Sequence, residues 1–117
     1  MATMNKVIEY VDEIRINGYS DDHKYKWMSN LDGLIARDVM EIEIPCYDGP
    51  ADADNELLVA APFDDLYAMY VILQIELADQ EYDHYNNMAM VFQNRLEQYK
   101  AWYLRKNRPP KRKAVLR

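Results

Sequence analysis

Residues 62–106 read PFDDLYAMYVILQIELADQEYDHYNNMAMVFQNRLEQYKAWYLRK, and the spacing of their apolar side chains decides the fold. Pro62 with Asp64 and Asp65 behind it marks a helix start, because proline suits a first helical turn and carboxylates favour the positive end of the helix dipole. Leu66, Tyr70, Leu73 and Leu77 then follow at steps of four, three and four. A helix continued in that register would bury Gln80 and His84, which are polar. Instead the apolar series resumes at Tyr82, Tyr85, Ala89, Phe92, Leu96, Tyr99 and Tyr103, alternating steps of three and four. This slip of two residues puts a break at 78–81 and predicts an αα-hairpin. The last helix should run from about Glu81 to Lys106, where Asn107, Arg108 and then Pro109-Pro110 stop it.

Upstream, Met4, Val7, Ile8, Val11 and Ile14 form one apolar stripe and predict a first helix from about Met4 to Ile16, ended by Asn17-Gly18. Ser20 is the expected N-cap of a second helix, with Asp21 and Asp22 in its first turn. That helix should extend to Val39 or slightly beyond and bury Trp27, Leu31, Leu34 and Ile35. Gly33 inside it costs about 1 kcal/mol relative to alanine and would allow close packing. Between 41 and 62 the pattern breaks. Pro45, Gly49, Pro50 and Pro62 punctuate an acidic stretch, which reads as a long irregular loop with room for a hairpin or one short strand at Leu57-Leu58-Val59. The fold class is therefore all-α: a bundle of about four helices with a C-terminal αα-hairpin and a long loop between helices 2 and 3.

The chain of 117 residues is sized for one domain, expected over 1–106, followed by a basic tail at 107–117 that should be flexible in isolation. Half of its residues are apolar or aromatic, enough to fill a core, and only three are glycine, which favours long regular elements. A single cysteine, Cys46, excludes an internal disulfide and suits a reducing compartment. Lys6, Glu9, Asp12 and Glu13 interrupt any signal-peptide core. Uncharged stretches such as Leu66 to Ile75 fall short of the roughly 18 residues that span a bilayer, so neither secretion nor membrane insertion is expected.

The net charge of −6 conceals a division. Residues 1–93 carry five basic and nineteen acidic side chains, and residues 94–117 carry nine basic and one acidic. The chain is an acidic body with a basic end.

Nothing in the sequence asks for catalysis, and no catalytic, metal-binding or cofactor-binding residue is predicted. His23 and His84 lie on different helices without Glu or Cys at metal-ligand spacing, and both read as solvated. Asp48, Asp52, Asp54 and Glu56 could gather a hard cation, but the EF-hand order and its central glycine are missing, so a solvated acidic loop is the better reading. Phosphate-binding glycine loops, nucleophile elbows and zinc-protease motifs are absent.

The carboxy-terminal half holds more aromatic surface than so small a bundle can bury. Tyr82, Tyr85, Tyr99 and Tyr103 fall on the expected core stripe. Tyr67 and Trp102 fall off it and are expected at a subunit interface. The partner-binding candidates are therefore Tyr67 and Trp102 together with the basic run Arg105, Lys106, Arg108, Lys111, Arg112, Lys113 and Arg117. Three readings of that run remain open: it is simply solvated, it contacts nucleic acid phosphates, or it docks on an acidic protein surface.

Three segments together resemble a family of small phage proteins common in phages and prophages of Gram-positive bacteria. They are Trp27-Met28-Ser29-Asn30-Leu31-Asp32-Gly33-Leu34-Ile35, Pro62-Phe63-Asp64-Asp65-Leu66-Tyr67-Ala68-Met69-Tyr70, and Glu81-Tyr82-Asp83-His84-Tyr85-Asn86-Asn87-Met88-Ala89-Met90 with Phe92, Trp102 and Tyr103 behind it. Their order and rough spacing match from about Asn5 to Arg108. The family is similar to the helical head–tail connector, or adaptor, proteins of long-tailed phages. The resemblance implies a homo-oligomeric ring beneath the portal protein, meeting a tail-completion protein and passing DNA without sequence specificity. It implies assembly in the host cytoplasm, then residence in the virion neck. The alternative is a small DNA-packaging or regulatory protein that binds DNA through its basic tail.

Overall fold

The computed structural model describes residues 3–107. Four helices follow one another: α1 (Met4–Ile14), α2 (Asp21–Ile35), α3 (Asp65–Ala78) and α4 (Tyr82–Lys106). The all-α bundle expected from the spacing is present. The hairpin break falls where the phase slip puts it. Asp79, Gln80 and Glu81 connect α3 to α4, and Gln80 makes the turn in the left-handed region at φ 61°.

Each helix carries its local reasons. The Thr3 hydroxyl caps α1 by accepting from the Lys6 amide at 3.3 Å, and the Ala53 carbonyl accepts from the Asn5 amide at 3.1 Å. The first helix ends at Ile14, two residues before its expected limit. Ser20 has the extended backbone of an N-cap but makes no side-chain cap bond; Asp21 and Asp22 supply the favourable charge. Beyond Ile35 the second helix continues as a π-helical turn, Ala36–Met40, which stops at Glu41 in the left-handed region (φ 55°).

Helix α3 is the centre of the molecule and contacts α1, α2 and α4. Leu66, Tyr67, Ala68, Val71, Ile72, Leu73, Ile75 and Glu76 are all buried, so its apolar surface wraps the helix instead of forming one stripe. The 4-3-4 reading is corrected here: Leu66 and Leu73 are buried, Tyr70 is partly covered, and Leu77 is exposed. On α2 the buried face is Lys24, Met28, Leu31, Asp32 and Ile35, while Leu34 is exposed and Trp27 half-buried. The Lys24 ammonium is covered and reaches the Asp12 carboxylate at 2.7 Å, tying α2 to α1.

The 41–62 segment is irregular, as expected. Its regular pieces are a 3₁₀ turn at Gly49–Asp52 and an isolated antiparallel bridge from Thr3 to Glu56. Leu57-Leu58-Val59 forms no strand; Leu57 and Val59 instead insert into the core with Ala53. Ile44 crosses Gly33 with its Cγ2 3.4 Å from where a β-carbon would sit, which gives that glycine a packing role.

Candidate interaction surface

Tyr67 sits fully inside the protein, which corrects its expected place at a subunit interface. Its hydroxyl donates to Asp32 Oδ1 at 2.5 Å and accepts from the Val59 amide at 2.8 Å. Asp32 is equally buried, and its Oδ2 accepts from the Tyr47 hydroxyl at 2.7 Å and the Leu58 amide at 3.2 Å. One carboxylate on α2 thus fastens both ends of the 41–62 loop and the first turn of α3. Burial pushes the Asp32 carboxyl above its ordinary value even though three donors oppose the shift. Burial beside Asp32 also raises the Tyr67 and Tyr47 hydroxyls, which remain neutral donors. Asp32 and Tyr67 are shut inside, and Tyr47 is the member of the cluster that reaches surface concavities, one beside Tyr25, Ser29 and Asn30 and one beside Ile44 and Cys46.

Trp102 is half-buried, packed 5.5 Å from Phe63 and 6.1 Å from Tyr99 between ring centroids. Lys106 lies 5.1 Å over its ring, and Arg105 and Lys106 are exposed at the last turn of α4. The structure therefore does not bring Tyr67 and Trp102 together on one face. Arg108, Lys111, Arg112, Lys113 and Arg117 lie outside the described residues.

The expected core stripe of α4 holds for Tyr85, Ala89, Phe92, Leu96, Tyr99 and Tyr103, but Tyr82 is exposed. Arg95 pins this helix to the start of α3. Its guanidinium donates to both Asp65 carboxylate oxygens at 3.1 and 3.2 Å and to the Pro62 carbonyl at 2.9 Å, and lies 4.5 Å over the Phe63 ring. Met90, Val91 and Leu104 on the same helix are exposed, as are Ile42 and Ile44 in the loop. Tyr10, Ile14, Ile16, Leu34, Leu77 and Tyr82 are exposed as well, so the uncovered apolar surface is not confined to α4 and the loop.

A groove of about 300 Å³ runs between α2, α3 and α4, with Leu34, Tyr70, Leu73, Tyr85 and Leu96 in its walls. Asp38 and Lys100 add one charge of each sign. The Asp38 carboxyl is held below the usual carboxylate range by the Arg37 guanidinium and further by Lys100. Among the described residues no three His, Cys, Asp or Glu side chains gather at metal-ligand distances. The carboxylates of the acidic loop close that loop instead: Asp52 accepts from the Asp48 amide and Asn55, and Asp54 from Asn5.

At the α3–α4 turn a second cluster forms that sequence spacing gives no hint of. Arg15, just past α1, faces Glu81 at 3.3 Å, Asp79 at 3.6 Å and Glu76 at 3.9 Å. Glu76 is buried, and its Oε1 has no hydrogen-bond partner. His84 Nδ1 lies 2.9 Å from Glu81, and Tyr19 donates to Asp79 at 2.6 Å.

No described helix is long and apolar enough to cross a membrane. Compared with protein-family models, with curated proteins and with solved structures, the chain matches none.

Proposed function

We propose that this chain is a structural protein of a long-tailed phage particle, a head–tail connector that joins copies of itself beneath the portal and lines the DNA path in the neck. The observation that carries the reading is the uncovered apolar surface of α4 and the loop, Met90, Val91, Leu104, Ile42 and Ile44, on a body otherwise rich in carboxylates. Surface of that composition gains free energy when a second subunit covers it. Repeated contacts between unlike faces close into a ring when their rotation divides a circle. The acidic body supports a conduit role, because it repels a passing phosphate backbone. Support for the phage assignment comes from the three resembling segments. Two of them, 27–35 and 62–70, meet in the core through the Asp32–Tyr67 hydrogen bond.

In this reading the protein is not an enzyme, and its partners are further copies, the portal protein and a tail-completion protein. The test is its mass in solution, alone and with portal protein added. A ring or a stable portal complex is expected; a strict monomer that ignores the portal at every condition would refute the proposal. A second reading, DNA binding through the basic end, draws on the exposed Arg105 and Lys106, which lead into the downstream cations. It requires duplex binding that weakens steeply with salt, and no gel shift at low salt would remove it.

A further inference from the structure

The groove of about 300 Å³ between α2, α3 and α4 is apolar along its walls and open at its mouth. Leu34 and Gln93 on its rim are exposed, and Tyr70, Tyr85 and Leu96 are only half-buried. Lys100 lies toward the C-terminal end of α4, with the Asp38 carboxylate near it. Asp38 is already paired with Arg37 at 2.8 Å, so the groove offers an occupant apolar surface and little free charge.

Helix α4 is one wall of the groove, and the chain leaves that helix at Asn107. The sequence continues Arg108-Pro109-Pro110-Lys111-Arg112-Lys113-Ala114-Val115-Leu116-Arg117, with one aliphatic run, Ala114-Val115-Leu116. Along the helix axis Asn107 stands about 10 Å beyond Lys100, about 16 Å beyond Leu96 and about 22 Å beyond Phe92. From Asn107 to Val115 a flexible chain spans about 15 Å on average and about 28 Å at full stretch. Turned back along α4, the segment thus brings its aliphatic run level with Leu96 and Phe92. A tether whose average span matches the gap holds its end at a millimolar effective concentration, which favours a chain's own segment over that of another copy.

We infer that Ala114-Val115-Leu116 of each chain docks in that chain's own groove between α2, α3 and α4. Covering the walls at Leu34, Tyr70 and Leu96 removes apolar surface from water on both sides of the contact. Pro109-Pro110 stops α4 from continuing straight on and so permits the return. Lys111, Arg112 and Lys113 keep their charged ends in solvent while the aliphatic run is covered. The contact forms within one copy, so it does not rest on the connector reading.

The experiment is disulfide trapping in the full-length chain, with the exposed Cys46 replaced (Cys46→Ser). Val115→Cys is paired either with Gln93→Cys, on the groove rim, or with Asn94→Cys. Both α4 positions are exposed and about equally far from Asn107, but they point about 100° apart around the helix, and only Gln93 lines the groove. Closure in a glutathione buffer is followed on non-reducing gels, and each rate is divided by that of the same α4 cysteine alone with oxidised glutathione. The Gln93 pair should close within the monomer about tenfold faster than the Asn94 pair, as a millimolar local concentration at the groove implies. Adding Leu116→Asp should bring the Gln93 pair down to the Asn94 rate, because a carboxylate resists transfer to apolar walls. Equal rates for the two pairs would overturn the contact. So would a Gln93 pair that ignores Leu116→Asp. Dimers linked through Gln93 in place of closed monomers would overturn it too, and would give the groove to a second copy.

Discussion

Helices α3 and α4 lie against each other along the hairpin, yet eight of the fourteen residues of α3 are buried and only two of the twenty-five of α4, Phe92 and Tyr99. Position explains the contrast. Helix α3 has neighbours on three sides, and a polar group buried there calls for partners: Asp32 and Val59 supply them for Tyr67, while Glu76 has Arg15 near one carboxylate oxygen and nothing on the other. Helix α4 is covered on one side, so its other side answers to solvent or to another subunit. Two helices of one hairpin thus carry different duties: α3 specifies the fold, and α4 presents surface. Substitutions can set the two against each other.

The largest difference should come from Tyr67→Ala in α3 against Leu104→Ala in α4. The first opens a cavity, strips Asp32 of its shortest hydrogen bond and leaves the Val59 amide unpaired; it should cost about 4 kcal/mol or more. The second removes an exposed side chain and should stay within about 0.5 kcal/mol. Urea unfolding followed by circular dichroism measures both. Equal losses at the two positions would mean that α4 is as integral to the core as α3.

A second test isolates the buried carboxylate by pH. The Asp32 carboxyl titrates above its ordinary value of 3.8 in the folded protein, so the native state holds that proton more tightly than the unfolded chain does. Stability should then fall as pH rises from near 3.8 through the folded value, because ionisation is harder inside than outside. Asp32→Asn cannot ionise. The difference in unfolding free energy, wild type minus variant, should therefore decrease with rising pH over that window and level off above it. A flat or rising difference would show that the three donors outweigh burial.

The same contrast explains what the sequence made legible. The break at 78–81 could be read because a phase slip in apolar spacing is a local property of adjacent turns. The stripe of α4 could be read because that helix has one covered side. Helix α3 misleads the same method: when three neighbours surround a helix no stripe marks its inside, and Tyr67, off the assumed stripe, is as buried as Leu66. Asp32 is harder still, since Tyr47, Leu58 and Tyr67 lie 15, 26 and 35 residues away. One signal was available, as Asp32 shares the face of Met28, Leu31 and Ile35, where a carboxylate demands partners. The Arg15 cluster joins two distant segments, 15–19 and 76–84, and follows only from the way α1 meets the hairpin turn.

A smaller effect is expected where the two helices are pinned together. Arg95→Lys keeps the charge but loses the fork that reaches Asp65 and Pro62 at once and the flat contact with Phe63. This change should cost about 1 kcal/mol in urea unfolding, with Asp65→Asn costing less than that in the Arg95→Lys background if the two act as a pair. Full additivity would show that the guanidinium holds α4 through the Pro62 carbonyl and the ring alone.

The smallest effect on stability should fall on the uncovered side of α4, and there the contrast with α3 is sharpest. Met90→Ser and Leu104→Ser alter side chains that touch mainly solvent in the single chain, so together they should shift unfolding by no more than about 0.5 kcal/mol each. In an assembly those positions are covered, and replacing buried apolar surface by hydroxyls weakens a contact by about 25 cal/mol for each Å² no longer hidden from water. The pair of substitutions should thus leave the monomer unfolding curve nearly unchanged while lowering the sedimentation coefficient of any complex with itself or with portal protein. A double variant that assembles as well as the wild type would place the contact surface elsewhere, on Ile42 and Ile44 or at the charged ends of α4.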